Sequence, residues 1–212
     1  MGVRPSESNQ LMGLTQFIKV GIDKITGRSG SMETWDIYDK DRNLTDKEMN
    51  RGDLFEQGAY HLVIHVCLFN QLGEMLIQQR QPDKADWKNM WDITVGGSAI
   101  AGETSQQAAE REVKEEIGYT LNLRDRRPAL TVNFENGFDD YYLIETDLNI
   151  SNLLLPTEEV KQVKWASKDD IINMISEGIF IPYHGPLISL LFDMRYNMGA
   201  HAQPKKRSVK HL

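Results

Sequence analysis

The sequence predicts an α/β fold with strands and helices mixed in one unit, and three observations predict it. Short apolar, β-branched runs recur between turn signals; two segments open on helix capping boxes; and helical and strand patterns alternate along the chain. Residues 1–31 precede that pattern and end in the small-residue run Thr26-Gly27-Arg28-Ser29-Gly30-Ser31, which reads as a linker. Within them, Leu14 to Ile25 has amphipathic spacing that suits a helix. The folded unit is expected over residues 32–199, starting at Glu33-Thr34-Trp35-Asp36-Ile37-Tyr38-Asp39, with a basic tail at 200–212.

Tyr60 to Phe69 reads as a buried strand, Asn70-Gln71-Leu72-Gly73 as a hairpin turn, and Glu74 to Arg80 as the return strand. Trp91-Asp92-Ile93-Thr94-Val95 is expected to be a short strand stopped by Gly96-Gly97. Residues 104–117 read as a helix, with Thr104 and Gln107 forming a capping box and Gly118 in the place of a C-terminal glycine. Strands follow near 129–135, 139–146 and 159–166. A helix from Ser167, capped with Asp170, runs to about Glu177, and a last helix covers Pro186 to Met198 with the proline in its first turn.

Composition and charge exclude several function classes. The 212 residues are 40% apolar, and no run approaches the roughly 18 apolar residues of a membrane span. The N-terminus has no continuous apolar stretch of the secretory kind, and the single Cys67 can form no disulfide within the chain, so the expected compartment is the cytoplasm. The net charge is −7, but residues 1–31 carry +2 and residues 200–212 carry +4, which leaves −13 on the body between them. A body so acidic is a poor partner for nucleic acid, because Lys and Arg contacts to phosphate supply most of that affinity. An anionic small molecule would need divalent cations as a bridge.

The segment Gly97 to Tyr119 carries the chemistry. Glu112, Glu115 and Glu116 lie at i, i+3 and i+4, which on a helix puts three carboxylates on one face with Cβ atoms about 5–6 Å apart. Like charges so placed weaken a helix unless a cation sits among them. Hard oxygen ligands beside a glycine turn suit Mg²⁺ or Mn²⁺, and the absence of Cys and His argues against zinc. A solvated acidic helix face is the bland alternative. It loses ground because a strand, a double glycine, Glu103 at the loop–helix junction and Gly118 frame the glutamates.

This segment resembles the Nudix box: Gly, five residues, Glu, seven residues, Arg-Glu, an aliphatic residue, one residue, Glu-Glu, one residue, Gly and an aliphatic residue. Eight of its nine defined positions are met in register, and only Tyr119 departs, at the final aliphatic place on the core side. The resemblance implies an α/β/α sandwich with a mixed β-sheet and hydrolysis of the diphosphate linkage of a nucleoside diphosphate derivative or related organic pyrophosphate. It implies Glu112 and Glu116 as main metal ligands, with the carbonyl of Gly97, and Glu115 as third ligand or base. Arg111 is similar to the arginine that pins the loop to the helix, and Glu103 to the residue that orients it. In some relatives the base lies on a loop outside the box, and Glu159, of the Glu158-Glu159 pair, is the candidate. Arg80 and Lys84 border the cleft of such a fold and are candidates for diphosphate contact. Tyr183 and His184 are weaker candidates for lining the leaving group, and Trp87, Trp91 and Tyr141 for stacking. Dimers are common among such proteins, so a homodimer is compatible with the resemblance.

A narrower similarity runs over roughly residues 32–198 and is to the subgroup related to isopentenyl-diphosphate isomerase. It is carried by Trp35-Asp36-Ile37-Tyr38-Asp39, Arg51-Gly52, Tyr60 to His65, Leu76 to Arg80 and Trp91-Asp92. That isomerase uses a cysteine beside a histidine-held metal. Here Thr94-Val95-Gly96-Gly97-Ser98 offers neither, although His61 looks like one retained histidine, so isomerase activity is not expected. A non-catalytic module that binds a nucleotide derivative is the other alternative, and the complete carboxylate set speaks against it.

Overall fold

The computed structural model describes residues 33–201; the expectations for the N-terminal extension and for most of the basic tail lie outside the described residues. Strand β3 (His61–Phe69) shows how the layers arise. Its side chains alternate between faces, as a two-residue period requires. Leu62, Ile64, Val66 and Leu68 join one core with Ala108, Ala109, Val113 and Ile117 of helix α1 (Ser105–Ile117). Cys67 and Phe69 join a second core with Ile171 and Met174 of α2 (Lys168–Ser176) and Ile188, Leu191 and Phe192 of α3 (Gly185–Met194). Each Val, Leu, Ile, Met or Phe among them, withdrawn from water, contributes roughly 1.5–3 kcal/mol. The result is the α/β/α sandwich expected from the sequence.

The sheet between the layers is mixed. β3 runs parallel to β8 (Gly137–Glu145), with the ladder unbroken from His61↔Gly137 to Phe69↔Glu145. β7 (Leu130–Phe134) adds to β8, and β9 (Val160–Ala166) adds to β4 (Met75–Arg80), both antiparallel. The hairpin of β3 and β4 splays at once, since Phe69↔Met75 is its one paired position. The edge of β3 from Val63 to Val66 is taken by β6 (Val95–Ser98). Buried Thr94 spans the fork: its hydroxyl donates to the Leu76 carbonyl at 2.5 Å and accepts the Leu68 N–H at 2.9 Å. This fork opens the sheet where the glutamates gather.

Two expectations need correction. The strand expected over 91–95 is broken: β5 (Trp91–Asp92) pairs with β4, and β6 resumes at Val95, so Gly96 and Gly97 lie inside a strand and do not stop one. Thr94 at the fork takes over what a continuous ladder would have supplied. The last helix ends at Met194, four residues early, where the Arg195 guanidinium folds back onto the Phe192 carbonyl. Both capping boxes, at Thr104 and Ser167, are formed, and Gly118 closes α1 in the left-handed conformation at φ 70°. A further element had no counterpart in the sequence reading. β1 (Thr34–Tyr38) and β2 (Leu44–Asn50) form a two-stranded antiparallel sheet of their own.

Candidate active site

The loop from Gly97 to Thr104 and the first three turns of α1 are locked by one arginine. Arg111 donates in a bidentate fork to Glu103, Nε to Oε1 at 2.8 Å and Nη2 to Oε2 at 2.9 Å. Nη2 also donates to the Ser98 carbonyl at 3.1 Å, and Nη1 lies 2.9 Å from Glu112 Oε1 and 3.1 Å from Glu115 Oε2. Glu103 in turn accepts the Ile100 N–H at 3.0 Å, closing the loop on itself. Arg111 thus ties the loop to the helix, and Glu103 fixes the direction of its guanidinium.

The three glutamates part company. Glu116 is 3% exposed, and Glu112 is largely buried, with its side chain 13% exposed. Glu115 has a side chain 60% exposed, and it shares the Arg111 Nη1 with Glu112. Burial pushes the Glu112 carboxyl up to about 7, against the pull of Arg111 and with added repulsion from Glu115 and Glu33. Burial also pushes the Glu116 carboxyl well above the usual range, Glu112 adds to the shift, and the Gln78 hydrogen bond opposes it. Glu159 and Asp92 push it in the same direction as Glu112. Gly97 stands against Glu112: a Cβ there would clash with Glu112 Oε1. Only a residue without a side chain lets β6 pass so close to the carboxylate.

The opposite wall comes from β4 and the loop before β9. Gln78 donates from Nε2 to Glu116 Oε2 at 2.6 Å, and the Thr157 hydroxyl donates to the Glu116 carbonyl at 2.9 Å. Glu159 pairs with Lys84 at 2.7 Å. The Gln81 N–H donates to the Glu159 carbonyl at 2.9 Å, and Gln81 Nε2 to the Thr157 carbonyl at 2.7 Å, which ties the two loops together. Arg80 ends β4 with a buried Nε that has no hydrogen-bond partner. Gln78 and Thr157 were missed by sequence reasoning. For Gln78 the one signal is its place directly after the apolar Met75-Leu76-Ile77 run in the same strand; once buried, its amide needs a polar partner.

The remaining candidates fall elsewhere. Cys67 is buried in the second core, and burial pushes its thiol far up, so no thiolate is available there. His61 stacks on Trp35 at 4.5 Å, and burial pulls its imidazole down to about 4, which keeps it neutral. Tyr183 donates to buried Asp92 at 2.8 Å, while His184 is exposed at the start of α3. Tyr141 is buried against His65 with ring centroids 4.6 Å apart, Trp91 lies under the Lys164 ammonium, and Trp87 is 42% exposed. Tyr119, the departure from the box, packs on the first core and shares a 3.1 Å hydrogen bond with Thr146.

Among the described residues, no three Asp, Glu, His or Cys side chains stand together as a ready-made cation cage. The donor chemistry nonetheless fits a hard divalent cation. Two buried carboxylates lie on adjacent turns, both pushed up by burial and Glu116 also by Glu112; Arg111 is the cation paired to Glu112, and Gly97 of β6 passes close beside it.

The model of the NUDIX domain matches residues 59–184. An uncharacterized Nudix hydrolase of Listeria innocua is 48% identical over 170 residues, covering 80% of this chain and 99% of that protein. Another, of Listeria monocytogenes, is 46% identical over the same shares. A Deinococcus radiodurans protein of known crystal structure has the same fold, with a TM-score of 0.61 at 22% identity, over 75% of this chain and 97% of that one. No helix of the described residues is long and apolar enough to cross a membrane.

Proposed function

The chain belongs to the Nudix family, and on that premise we propose a Mg²⁺- or Mn²⁺-dependent hydrolase that cleaves the diphosphate linkage of a nucleoside diphosphate derivative or related organic pyrophosphate. The observation that supports it most is Glu116: a fully buried carboxylate facing Glu112 and influenced by Glu159, with an amide as its one side-chain partner. Such a group is costly to a protein unless a cation joins it. Glu112, Glu116 and the Gly97 carbonyl would hold that cation. When bound, it supplies charge neutralisation on the diphosphate oxygens and a water of lowered pKa.

The chain's own residues do the rest. Arg111 and Glu103 keep the loop and helix in register, which holds Gly97 close beside Glu112. Glu159 stands across from Glu116 on the loop before β9, placed to take the proton of the attacking water, and its ion pair with Lys84 orients it. Glu115, turned outward to Arg111, is the weaker candidate for that role. Arg80 and Lys84 meet the phosphate oxygens at the cleft edge. The net −13 on the body favours a small cation-bridged anion over nucleic acid.

The test is a Mg²⁺-supplemented panel of nucleoside diphosphate sugars, dinucleotides, coenzyme A, non-canonical nucleoside triphosphates and prenyl diphosphates, read by release of phosphate or monophosphate. Hydrolysis of at least one compound, abolished by chelation, is expected. Tight binding without product after long incubation would instead assign the chain to the binding modules.

A further inference from the structure

The β1–β2 hairpin lies outside the residues that the family model matches, yet it grips the loop on which the glutamates depend. In that loop, between residues 97 and 104, Ala99 is the one buried side chain, so backbone hydrogen bonds must fix its path. The Ala99 N–H donates to the Leu62 carbonyl at 2.9 Å. The next two anchors come from β1: the Ala101 N–H donates to the Thr34 carbonyl at 2.7 Å, and the Gly102 N–H to Asp36 Oδ2 at 2.7 Å. Gly102 is left-handed, at φ 82°. The residue after it, Glu103, carries the Arg111 fork, and Arg111 carries Glu112. A continuous line of contacts thus runs Asp36, Gly102, Glu103, Arg111, Glu112.

The hairpin grips the helix as well. Arg42, in the β1–β2 turn at φ 63°, sets its guanidinium on both oxygens of Asp140, a carboxylate with no exposure. Asp140 also accepts the Ser105 hydroxyl at 2.6 Å and the Thr131 hydroxyl at 2.6 Å, and Ser105 is the first residue of α1. One small sheet therefore holds both the loop that precedes the catalytic helix and the first turn of that helix.

We propose that the β1–β2 hairpin is a positioning module of the active site and that Asp36 is its positioning residue, setting the loop through the Gly102 amide. This extends the hydrolase reading above, and rests on it, by giving a role to residues that the family match does not reach. Asp36 touches no reacting group; it acts on Glu112 through Glu103 and Arg111.

The test uses the full chain and two readouts: hydrogen exchange of the Gly102 amide, and binding of Mn²⁺ alone. Asp36→Ala removes the acceptor, and Asp36→Asn keeps one. Loss of a hydrogen bond to a charged group predicts about tenfold faster Gly102 exchange and about tenfold weaker Mn²⁺ binding in Asp36→Ala, with the melting temperature nearly unchanged. Asp36→Asn is expected to recover most of both. If Asp36→Ala does not melt cooperatively, Asp36→Ser serves, since its hydroxyl is one bond too short to reach the amide. Wild-type Mn²⁺ affinity in Asp36→Ala, or slow Gly102 exchange without the carboxylate, would overturn the positioning role while leaving the hydrolase reading intact. A wild-type protein that binds no Mn²⁺ would instead remove the hydrolase reading, and this inference with it.

Discussion

Two carboxylates are buried on either side of the forked sheet, and their surroundings differ in sign. Asp92 is 6% exposed and its carboxyl is pushed up by burial, yet it accepts hydrogen bonds from the Tyr183 hydroxyl and the Ile93 N–H. His65 and Arg80 pull its carboxyl back down. Glu116 is equally buried, but apart from the Gln78 amide its charged surroundings are carboxylates: Glu112, Glu159 and Asp92. Burial of an acid is thus no mark of a site by itself. What marks Glu116 is that the protein has left its charge to be balanced from outside, whereas Asp92 is satisfied from within.

The sharpest way to break this contrast is to neutralise each acid without changing its shape. Glu116→Gln is expected to lower turnover on the best panel substrate by about a thousandfold or more, some 4 kcal/mol of barrier, with the fold intact. Asp92→Asn keeps the acceptor for Tyr183 and is expected to stay within about threefold of wild type. Comparable activity in Glu116→Gln and the parent protein would remove the mechanism. A collapse in Asp92→Asn would show that the satisfied acid also serves the reaction.

Acid–base linkage separates the same regions. The Glu112 carboxyl stands at about 7 in the folded chain against 4.5 for an unperturbed glutamate, so the native state holds more protons between those values. Metal-free stability therefore falls as pH rises from about 5 to 7, by on the order of 3 kcal/mol from this group. A cation at Glu112 and Glu116 competes with those protons. Saturating Mg²⁺, at about 100 times its Kd, is expected to restore about 2.7 kcal/mol at pH 7.5, read by thermal or urea unfolding. Glu116→Gln should flatten most of the Mg²⁺ effect, and Asp92→Asn should retain it. An unfolding curve that ignores both pH and Mg²⁺ would mean that the carboxylates are not coupled in the way their burial implies.

How much of this was readable in advance follows the same division between local and long-range causes. The loop–helix unit declares itself because its determinants are neighbours in sequence: the Thr104 box, the four-residue spacing of Glu112 and Glu116, and the left-handed Gly118. The β1–β2 hairpin does not, because β2 reads Leu-Thr-Asp-Lys-Glu-Met-Asn, mostly exposed, and is held by pairing to β1 and not by an apolar face. Glu115 could not be told from its partners by spacing, since what turns it outward is Arg111, shared among three acids. Gly96-Gly97 looks like a strand terminator wherever a sequence is read locally. Only the fork between β3 and β4, bridged by Thr94, explains why a strand continues through it.

Those two glycines give the smallest and most discriminating comparison, because alternation along β6 points them to opposite faces. A Cβ on Gly97 would clash with the Glu112 carboxylate, whereas one on Gly96 would meet His65 Nδ1 at 2.9 Å. Glu112 is the end of a flexible side chain, so in Gly97→Ala it can swing aside, but only by leaving Arg111 and the cation position. Turnover is then expected to fall about tenfold, or 1.4 kcal/mol, while stability changes by less than about 1 kcal/mol. His65 has no such freedom, packed at 4.6 Å on Tyr141 and 3.4 Å from Asp139. Gly96→Ala is therefore expected to cost about 1 kcal/mol of stability through overpacking and to leave turnover within about twofold. Measured side by side, the two variants place the boundary between catalytic and structural chemistry between adjacent residues of one strand; equal loss of turnover in both would move that boundary to the second face of the sheet.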